Sequence, residues 1–401
     1  MSKQYFENLP ECKKTIIISD THLGIDDRFS WTVKNRPRLV SFLDNVASMP
    51  DVKELVLNGD LFDEWILPAD YPAYTDSDEF YRKAARNNQI VVDAVNHIIQ
   101  AGKTKVTYIP GNHDMLFSPD IADEIFPGIY QARDARGAGR YKIGCQNEIL
   151  IEHGHRYDMI NAPNQVSNKF ITGSYPSILP QGYILARMAV TSAAEGYSIL
   201  QEPDRCNKDQ YNAYLYYKDW AVAFGLLPLN DGFNSKILPI TIDGYNGYYS
   251  AADITPTLKN GEITAYLYPN FQRDWAEIQQ INEVCVPIPF CKEAKAEVND
   301  IVSLVDDQAY NQYFQTNKTI DIVVFGHTHD AKKVLYECKG KAKIYANSGT
   351  WIDVNADSYT TANFVMISHC GSNNYVDVFV YEQDGSITKI KTEKAAQVPM
   401  C

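Results

Sequence analysis

The chain has 401 residues, 45% of them apolar and 22% charged, and carries a formal net charge of -13. That length buries a full core and admits two or three domains, and the composition is that of a soluble globular protein without repeats or low-complexity tracts. The acidic excess counts against DNA or RNA as the main partner, which wants a basic stripe, and no run approaches the roughly 20 apolar residues of a membrane span.

Met1 to Asn8 lacks the basic-then-apolar layout of a signal peptide, so a cytoplasmic location is expected. Thr15 to Ser19 reads as a buried strand and ends in Ser19-Asp20-Thr21-His22. Apolar residues at helical spacing follow from Arg36 to Ser48. A second strand, Glu54 to Asn58, runs into Gly59-Asp60-Leu61-Phe62-Asp63, and one helix is expected from near Glu79 to Ala101, stopped by Gly102. Lys105 to Ile109 is a third strand, before Gly111-Asn112-His113-Asp114, and Glu148 to Glu152 a later one, before His153-Gly154-His155. This is the rhythm of a sheet covered by helices.

From about Arg156 to Thr316 the strand rhythm stops. Helix-like pieces, Tyr183 to Ile199 and Asp209 to Phe224, alternate with turns, and tyrosines gather at 211, 214, 216, 217, 245, 248 and 249. The expectation is a core built from 1–155 and 317–401, with 156–316 inserted as a mainly helical cap that sets specificity. Strands return with Asp321 to Phe325, directly before Gly326-His327-Thr328-His329, and further runs between Val334 and Ile390 have the hairpin spacing of a second sheet layer. The eight cysteines stand apart from these motifs; Cys285 and Cys291 could close a small loop, but free thiols are the expected state.

Six of the eight histidines thus sit in four short clusters, each just past a strand. In open α/β sheets ligands collect at that edge, so residues distant in sequence can converge there. Asp20 and His22 are two apart, as are His327 and His329, which puts each pair on one side of an extended segment. Histidine is the commonest metal-ligating side chain, and a buried carboxylate needs a cation or another partner. The inventory Asp20, His22, Asp60, Asn112, His153, His327 and His329 mixes oxygen and imidazole without thiolate. That suits two divalent or trivalent ions, Mn first, then Fe, Zn or Co, and seven donors exceed what one tetrahedral ion needs.

The ordered series Asp-x-His, Gly-Asp-x-x-Asp, Gly-Asn-His-Asp, His-Gly-His and Gly-His-Thr-His resembles the calcineurin-like metallophosphoesterases, over roughly 13–155 and 317–370. The resemblance implies an α/β fold, a two-sheet ββ-sandwich flanked by helices, with a dinuclear centre at its edge. It places Asp20, His22 and His329 on one metal, Asn112, His153 and His327 on the other, and Asp60 between them. His113 becomes the acid or phosphate-stabilising group. Asp63 and Asp114 either cap a helix or hold a histidine from behind, with the second role favoured; His155 either supports a ligand or contacts substrate. His97 and His369 read as structural. Arg156, Lys169 and Arg187 are the candidate anion contacts in the cap.

The implied reaction is hydrolysis of a phosphate ester or anhydride, with water acidified by the ions from about 15.7 to about 7 and His113 giving a proton to the leaving oxygen. The substrate class is a small phosphorylated molecule, nucleotide- or lipid-linked, and no motif points to a protein partner. Asp63-Glu64-Trp65 and Asp114 depart from the protein serine/threonine phosphatases. Ser19 to Gly24, Arg38 to Leu43 and Asn347-Ser348-Gly349-Thr350-Trp351 look like the branch of UDP-2,3-diacylglucosamine pyrophosphohydrolases, from which His113 and the long insertion depart. A repair-type nuclease is the enzymatic alternative, and a catalytically silent metal-stabilised binding protein the alternative of another class.

Overall fold

Alternating burial along the first strand decides the layering. Within β1 (Lys13–Ile18), Ile16 and Ile18 join Leu39, Phe42 and Leu43 of the helix Arg36–Ser48, whereas Ile17 joins Val56, Ile109, Ile149, Ile322 and Val365. Successive side chains of a strand point to opposite faces, so β1 meets helices on one side and a second sheet on the other. The computed structural model describes residues 12–394 apart from 68–75, 174, 176, 195–235, 237, 255–256, 260–261, 339, 356–357 and 359. The expected helix from Asp209 to Phe224 and the tyrosines at 211, 214, 216 and 217 lie outside the described residues, as do Met1 to Asn8.

In the first sheet β2 (Val52–Asn58), β3 (Lys105–Ile109) and β4 (Tyr130–Gln131) follow β1 in parallel. The second sheet contains β5 (Arg140–Ile143) and β6 (Ile149–Glu152). Next come two short hairpins that periodicity does not reveal, β7 (Leu238–Ile240) with β8 (Gly247–Tyr249) and β9 (Thr257–Lys259) with β10 (Glu262–Thr264). They accompany the helices Gln181–Ala194, Phe271–Ile281, Phe290–Asn299 and Ile301–Asp306. Then β11 (Ile322–Phe325) enters the second sheet parallel to β6, and β12 (Lys332–Cys338) and β13 (Lys341–Asn347) extend it.

The late hairpins do not form the second layer alone, as their spacing suggested. Instead β14 (Asn363–Cys370), β15 (Asn373–Tyr381) and β16 (Ile387–Lys389) cross to the first sheet, where β14 pairs antiparallel with β1, and β17 (Thr392–Lys394) returns to the second. Pairing order is a tertiary property that strand spacing does not encode. Helices cover the outer face of the second sheet too, through Leu304, Val305, Tyr313 and Phe314 on Val323 and Phe325. The architecture is therefore two sheets flanked by helices.

Two further expectations change. The single helix expected from Glu79 to Ala101 is two, Ser77–Asn87 and Gln89–Ala101, broken at Asn88. There the side-chain amide donates to the carbonyls of Gly24 and Ala84, both at 2.8 Å, a tertiary bond that competes with helix continuation. Cys285, Cys291 and Cys145 carry free thiols, but Cys12 is bonded to Cys370, their Cα atoms 5.0 Å apart. The register that sets Lys13 opposite His369 brings the two cysteines together from positions 358 apart in sequence. That pairing corrects the expectation of free thiols for Cys12 and Cys370. Among the described residues, no helix is long and apolar enough to cross a membrane.

Just before the third histidine cluster, Glu152 is wholly buried. One carboxylate oxygen pairs with Arg156 at 3.0 Å and Arg140 at 3.3 Å, and the other accepts from the hydroxyls of Tyr157 and Tyr313, each at 2.8 Å. Removing this carboxylate takes the buried counter-charge from two guanidinium groups and leaves them Asp134 and, for Arg140, Glu283. Glu152→Ala is expected to lower unfolding stability by about 3–5 kcal/mol, measured by urea denaturation, and Tyr313→Phe by only about 1 kcal/mol.

Candidate metal centre

The five motifs meet because β1, β2 and β3 are parallel neighbours in one sheet and β6 and β11 in the other. Each motif begins where its strand ends. The turns are tight enough to need unusual backbone: Asp20, His22, Asp60, His327 and His329 all have φ between 43° and 67°. Side chains other than glycine pay for that left-handed region, and such residues concentrate at functional sites. Space is equally short. A Cβ on Gly111 would lie 2.1 Å from Oδ1 of Asp60, and one on Gly59 would lie 2.4 Å from Nδ1 of His153.

Two sets of donors result. In the first, Nε2 of His329 is 3.2 Å from Oδ1 of Asp20 and 3.0 Å from Nε2 of His22. In the second, Oδ1 of Asn112 is 3.2 Å from Nε2 of His153 and 3.0 Å from Nδ1 of His327. Oδ2 of Asp60 lies between them, 3.7 Å from Nε2 of His22 and 3.2 Å from Nε2 of His153. Asp20, His22 and His329 form one compact three-donor group, and Asp20, Asp60 and His153 another.

The far side of each ring settles its tautomer. Nδ1 of His22 faces Oδ2 of Asp63 at 3.0 Å, Nδ1 of His153 faces the Asn58 carbonyl at 2.8 Å, and Nε2 of His327 faces Oδ2 of Asp158 at 3.1 Å. Those acceptors take the outer N–H, so in a neutral ring each inner nitrogen presents a lone pair to the oxygens of Asp20, Asp60 and Asn112. Acceptor confronts acceptor. Oδ1 of Asp20, fully buried, has no hydrogen bond of acceptable geometry. A protein interior tolerates this only with positive charge among the donors, either protons or cations. Burial alone would lower the basicity of His153, yet Asp60 and Asp20 outweigh it and push it up to about 10. The mixed donor set and its tautomers fit metal ions.

Asp63 binds two histidines at once, since its other oxygen meets Nδ1 of His113 at 2.9 Å and accepts from the backbone N–H groups of Trp65 and Ile66. Against the cost of burial, His113 and His22 hold it well below the usual carboxylate range. His113 stacks on Trp65 with ring centroids 4.3 Å apart, and its backbone N–H donates to Oδ1 of Asp60. Burial opposes a charged His113, but Asp63 and Asp60 raise its basicity above the ordinary value.

Asp114 plays a different part from the one favoured above. Its oxygens accept from the backbone N–H groups of Gly111 and Leu61, at 2.7 and 2.8 Å, so it clamps two ligand loops rather than a histidine. Burial is the main reason its carboxyl is pushed up to about 6. His155 donates from Nε2 to the Gly137 carbonyl at 2.9 Å, beside the rings of His153 and His327. The cap cations do not join the centre. Arg156 is buried against Glu152 and Asp134, Arg187 against the carbonyl of Leu67 and the hydroxyl of Tyr183, and Lys169 is exposed near Glu277. His369 is held between Thr15 and Asn374.

Two supports went unread in the sequence. Asp158, three residues past His155, holds His327 from behind. The run Asn347 to Trp351 braces the ligand turns: Nδ2 of Asn347 donates to the Gly326 carbonyl, Oγ1 of Thr350 and N of Trp351 donate to the Asp20 carbonyl, and the hydroxyls of Ser19 and Ser348 meet at 2.6 Å. For Asp158 the only signal was a carboxylate within one turn of the His-Gly-His motif.

No curated protein matches the chain. Among solved structures, wild-type Vps29 complexed with zinc from Entamoeba histolytica is 10% identical, with a TM-score of 0.30 over 94% of this chain and 97% of that one. Vacuolar protein sorting 29 from Cryptosporidium parvum is 12% identical, with a TM-score of 0.33 over 94% and 96%. The Pseudomonas putida nuclease MPE is 16% identical, with a TM-score of 0.21 over 38% and 56%. Likenesses so faint say nothing of what this chain does. The family model described as calcineurin-like phosphoesterase matches residues 13–268, which takes in four of the five motifs and stops before Gly326 to His329. With well over half of its length matched, the chain belongs to the calcineurin-like phosphoesterase family.

Proposed function

We propose that this chain is a dinuclear-metal phosphoesterase that hydrolyses a phosphate ester or anhydride. The observation that supports the reading most is the set of histidine lone pairs turned inward onto carboxylate and amide oxygens. Asp20, His22 and His329 would hold one cation, Asn112, His153 and His327 the other, with Asp60 shared. Bound ions there supply positive charge to a phosphoryl group and acidify a water molecule. The mixed nitrogen and oxygen donors favour Mn, with Fe, Zn or Co as substitutes.

His113 is the proton donor in this reading. Nδ1 is occupied by Asp63, which leaves Nε2 as the atom to deliver a proton to the leaving oxygen. Trp65 fixes the ring plane, and Asp63 keeps the ring charged and aimed. Residues 156–316 act as the specificity element. From that segment Tyr175, Ile242 and Asp243 join Met115, Leu116 and Arg136 in lining a cavity of about 570 Å³, which starts two residues past His113. Its lining joins the apolar Met115, Leu116, Phe117 and Ile242 to Arg133 and Arg136 and to Asp76, Asp78 and Asp243, a mixed surface for the leaving group of a small phosphorylated substrate, nucleotide- or lipid-linked.

Asp60→Asn is expected to cut bound metal below two ions per chain and activity by more than about 100-fold, read by elemental analysis and by turnover of a phosphodiester and nucleotide-sugar panel with added Mn. His113→Ala should lower kcat by about 10²–10⁴ while both ions remain bound. Full activity in His113→Ala would remove its role. No turnover by the metal-loaded parent protein would instead favour a metal-stabilised binding protein. Asp63→Asn, which keeps the shape but loses the charge behind His22 and His113, should cost about 10–100-fold in metal affinity or activity.

A further inference from the structure

One buried indole lies against three histidines of the site. Trp31 is 5% exposed, and its ring stacks on His22 with centroids 4.5 Å apart and planes 28° from parallel. It also meets His329 at 5.9 Å and His113 at 5.6 Å, both edge to face. The rings of His153 and His327 meet each other at 5.4 Å and lie beside His155 instead. The indole contact is therefore one-sided: it covers both imidazoles of the first donor set, together with His113.

The loop that carries Trp31 is fastened on either side of it. Before it, Oγ of Ser30 accepts from the Gly24 N–H at 3.1 Å and donates to the carbonyls of His22 and Thr32, at 3.3 and 3.2 Å. After it, the carboxylate of Asp353 accepts from the backbone N–H groups of Val33, Lys34 and Asn35, at 3.1, 2.9 and 2.8 Å, just ahead of the helix Arg36–Ser48. The Asp353 N–H donates in turn to the Trp31 carbonyl at 2.8 Å. Bonds from N–H groups to an ionised carboxylate are stronger than those to a neutral acceptor. The indole is thus pinned through its own backbone against the Asp20–His22 turn.

An imidazole that binds a cation becomes electron-poor, and the face of an indole carries the negative part of its quadrupole. Stacking on Trp31 therefore favours His22 in its cation-bound form, and it blocks the ring from turning away from Oδ2 of Asp63. We propose that Trp31 is a positioning residue for the first ion. It keeps Nε2 of His22 and of His329 turned toward Oδ1 of Asp20, 3.9 and 3.2 Å away, and leaves the second ion's affinity nearly untouched. The inference rests on the dinuclear reading and acts through the two rings.

Mn²⁺ dissociation constants, measured by competition with a chelator, test it without any substrate. The parent is expected to hold two ions. Trp31→Leu, apolar but without a π face, should weaken one of them about tenfold or more and the other less than about threefold. Trp31→Phe restores a π face and should bring the weakened ion back to within about threefold of the parent. The loss in Trp31→Leu should persist in a His327→Ala background, where the first ion remains; its absence there overturns the assignment. Asp353→Ala loosens the loop and leaves the indole in place, so it keeps the test open if Trp31→Leu fails to fold. It should weaken the same ion about threefold or more. A role confined to packing would lower the melting midpoints and leave both constants at the parent's values, and that result overturns the proposal. Equal weakening of both ions overturns it too. Either outcome leaves the dinuclear reading standing, whereas a parent that holds fewer than two ions sinks both.

Discussion

The centre is organised by protons that point away from it. Asp63, the Asn58 carbonyl and Asp158 take the outer N–H groups of His22, His153 and His327, and each ring, when neutral, then offers a lone pair inward. Inside stand Asp20, Asp60 and Asn112, which are acceptors too. Such an arrangement repels itself in a medium of low dielectric and becomes favourable when positive charge enters. Much of the surrounding structure serves to hold acceptors close that would otherwise separate. Five strands end together at one edge, three in one sheet and two in the other.

Holding them close is costly for the backbone. Five candidate ligands occupy the left-handed region, at a cost on the order of 1–3 kcal/mol for each such residue. Glycines at 59 and 111 stand where any Cβ would strike a ligand. Asp114 ties the Gly111 loop to the Asp60 loop, and Asn347, Ser348, Thr350 and Trp351 tie the Asp20 turn to the Gly326 turn. These are the contacts that offset the strain, and a bound ion would add its own free energy to the fold. The two glycines answer different constraints. Gly59 has φ of +84° and also lacks room, whereas Gly111 needs only the room.

What could be read from the chain was what is local. Each motif adjoins its own strand, so a short apolar run and the residues after it place a ligand at a strand end without any knowledge of pairing. The convergence of the candidate donors, the parallel strands and the two-layer fold followed from that. What could not be read depends on contacts across long stretches of chain. The Cys12–Cys370 bond waits on the antiparallel register of β1 with β14, and the division of the late hairpins between two sheets waits on the same register. The break at Asn88 depends on a carbonyl at Gly24. Asp114 shows a subtler limit: a carboxylate beside a histidine looked like its orienter, but backbone N–H groups in two loops claimed it first. Arg156 and Arg187 looked like anion receptors because they are cationic, and both are spent on buried structural partners.

Residues 156–316 hold no recognisable motif, yet they pack on the core at several points. Tyr175, Ile242 and Asp243 line a cavity together with residues from Met115 to Pro119. Asp158 fixes His327. Arg156 and Tyr313 add support to Glu152, the residue immediately before His153. A segment that only covered the substrate could vary without touching the ions. This one supplies the carboxylate that faces Nε2 of His327, so in the proposed reading substitutions that reshape it would alter metal affinity along with access. Under the proposed function, access and metal binding would therefore be coupled through Asp158, which meets Nε2 of His327.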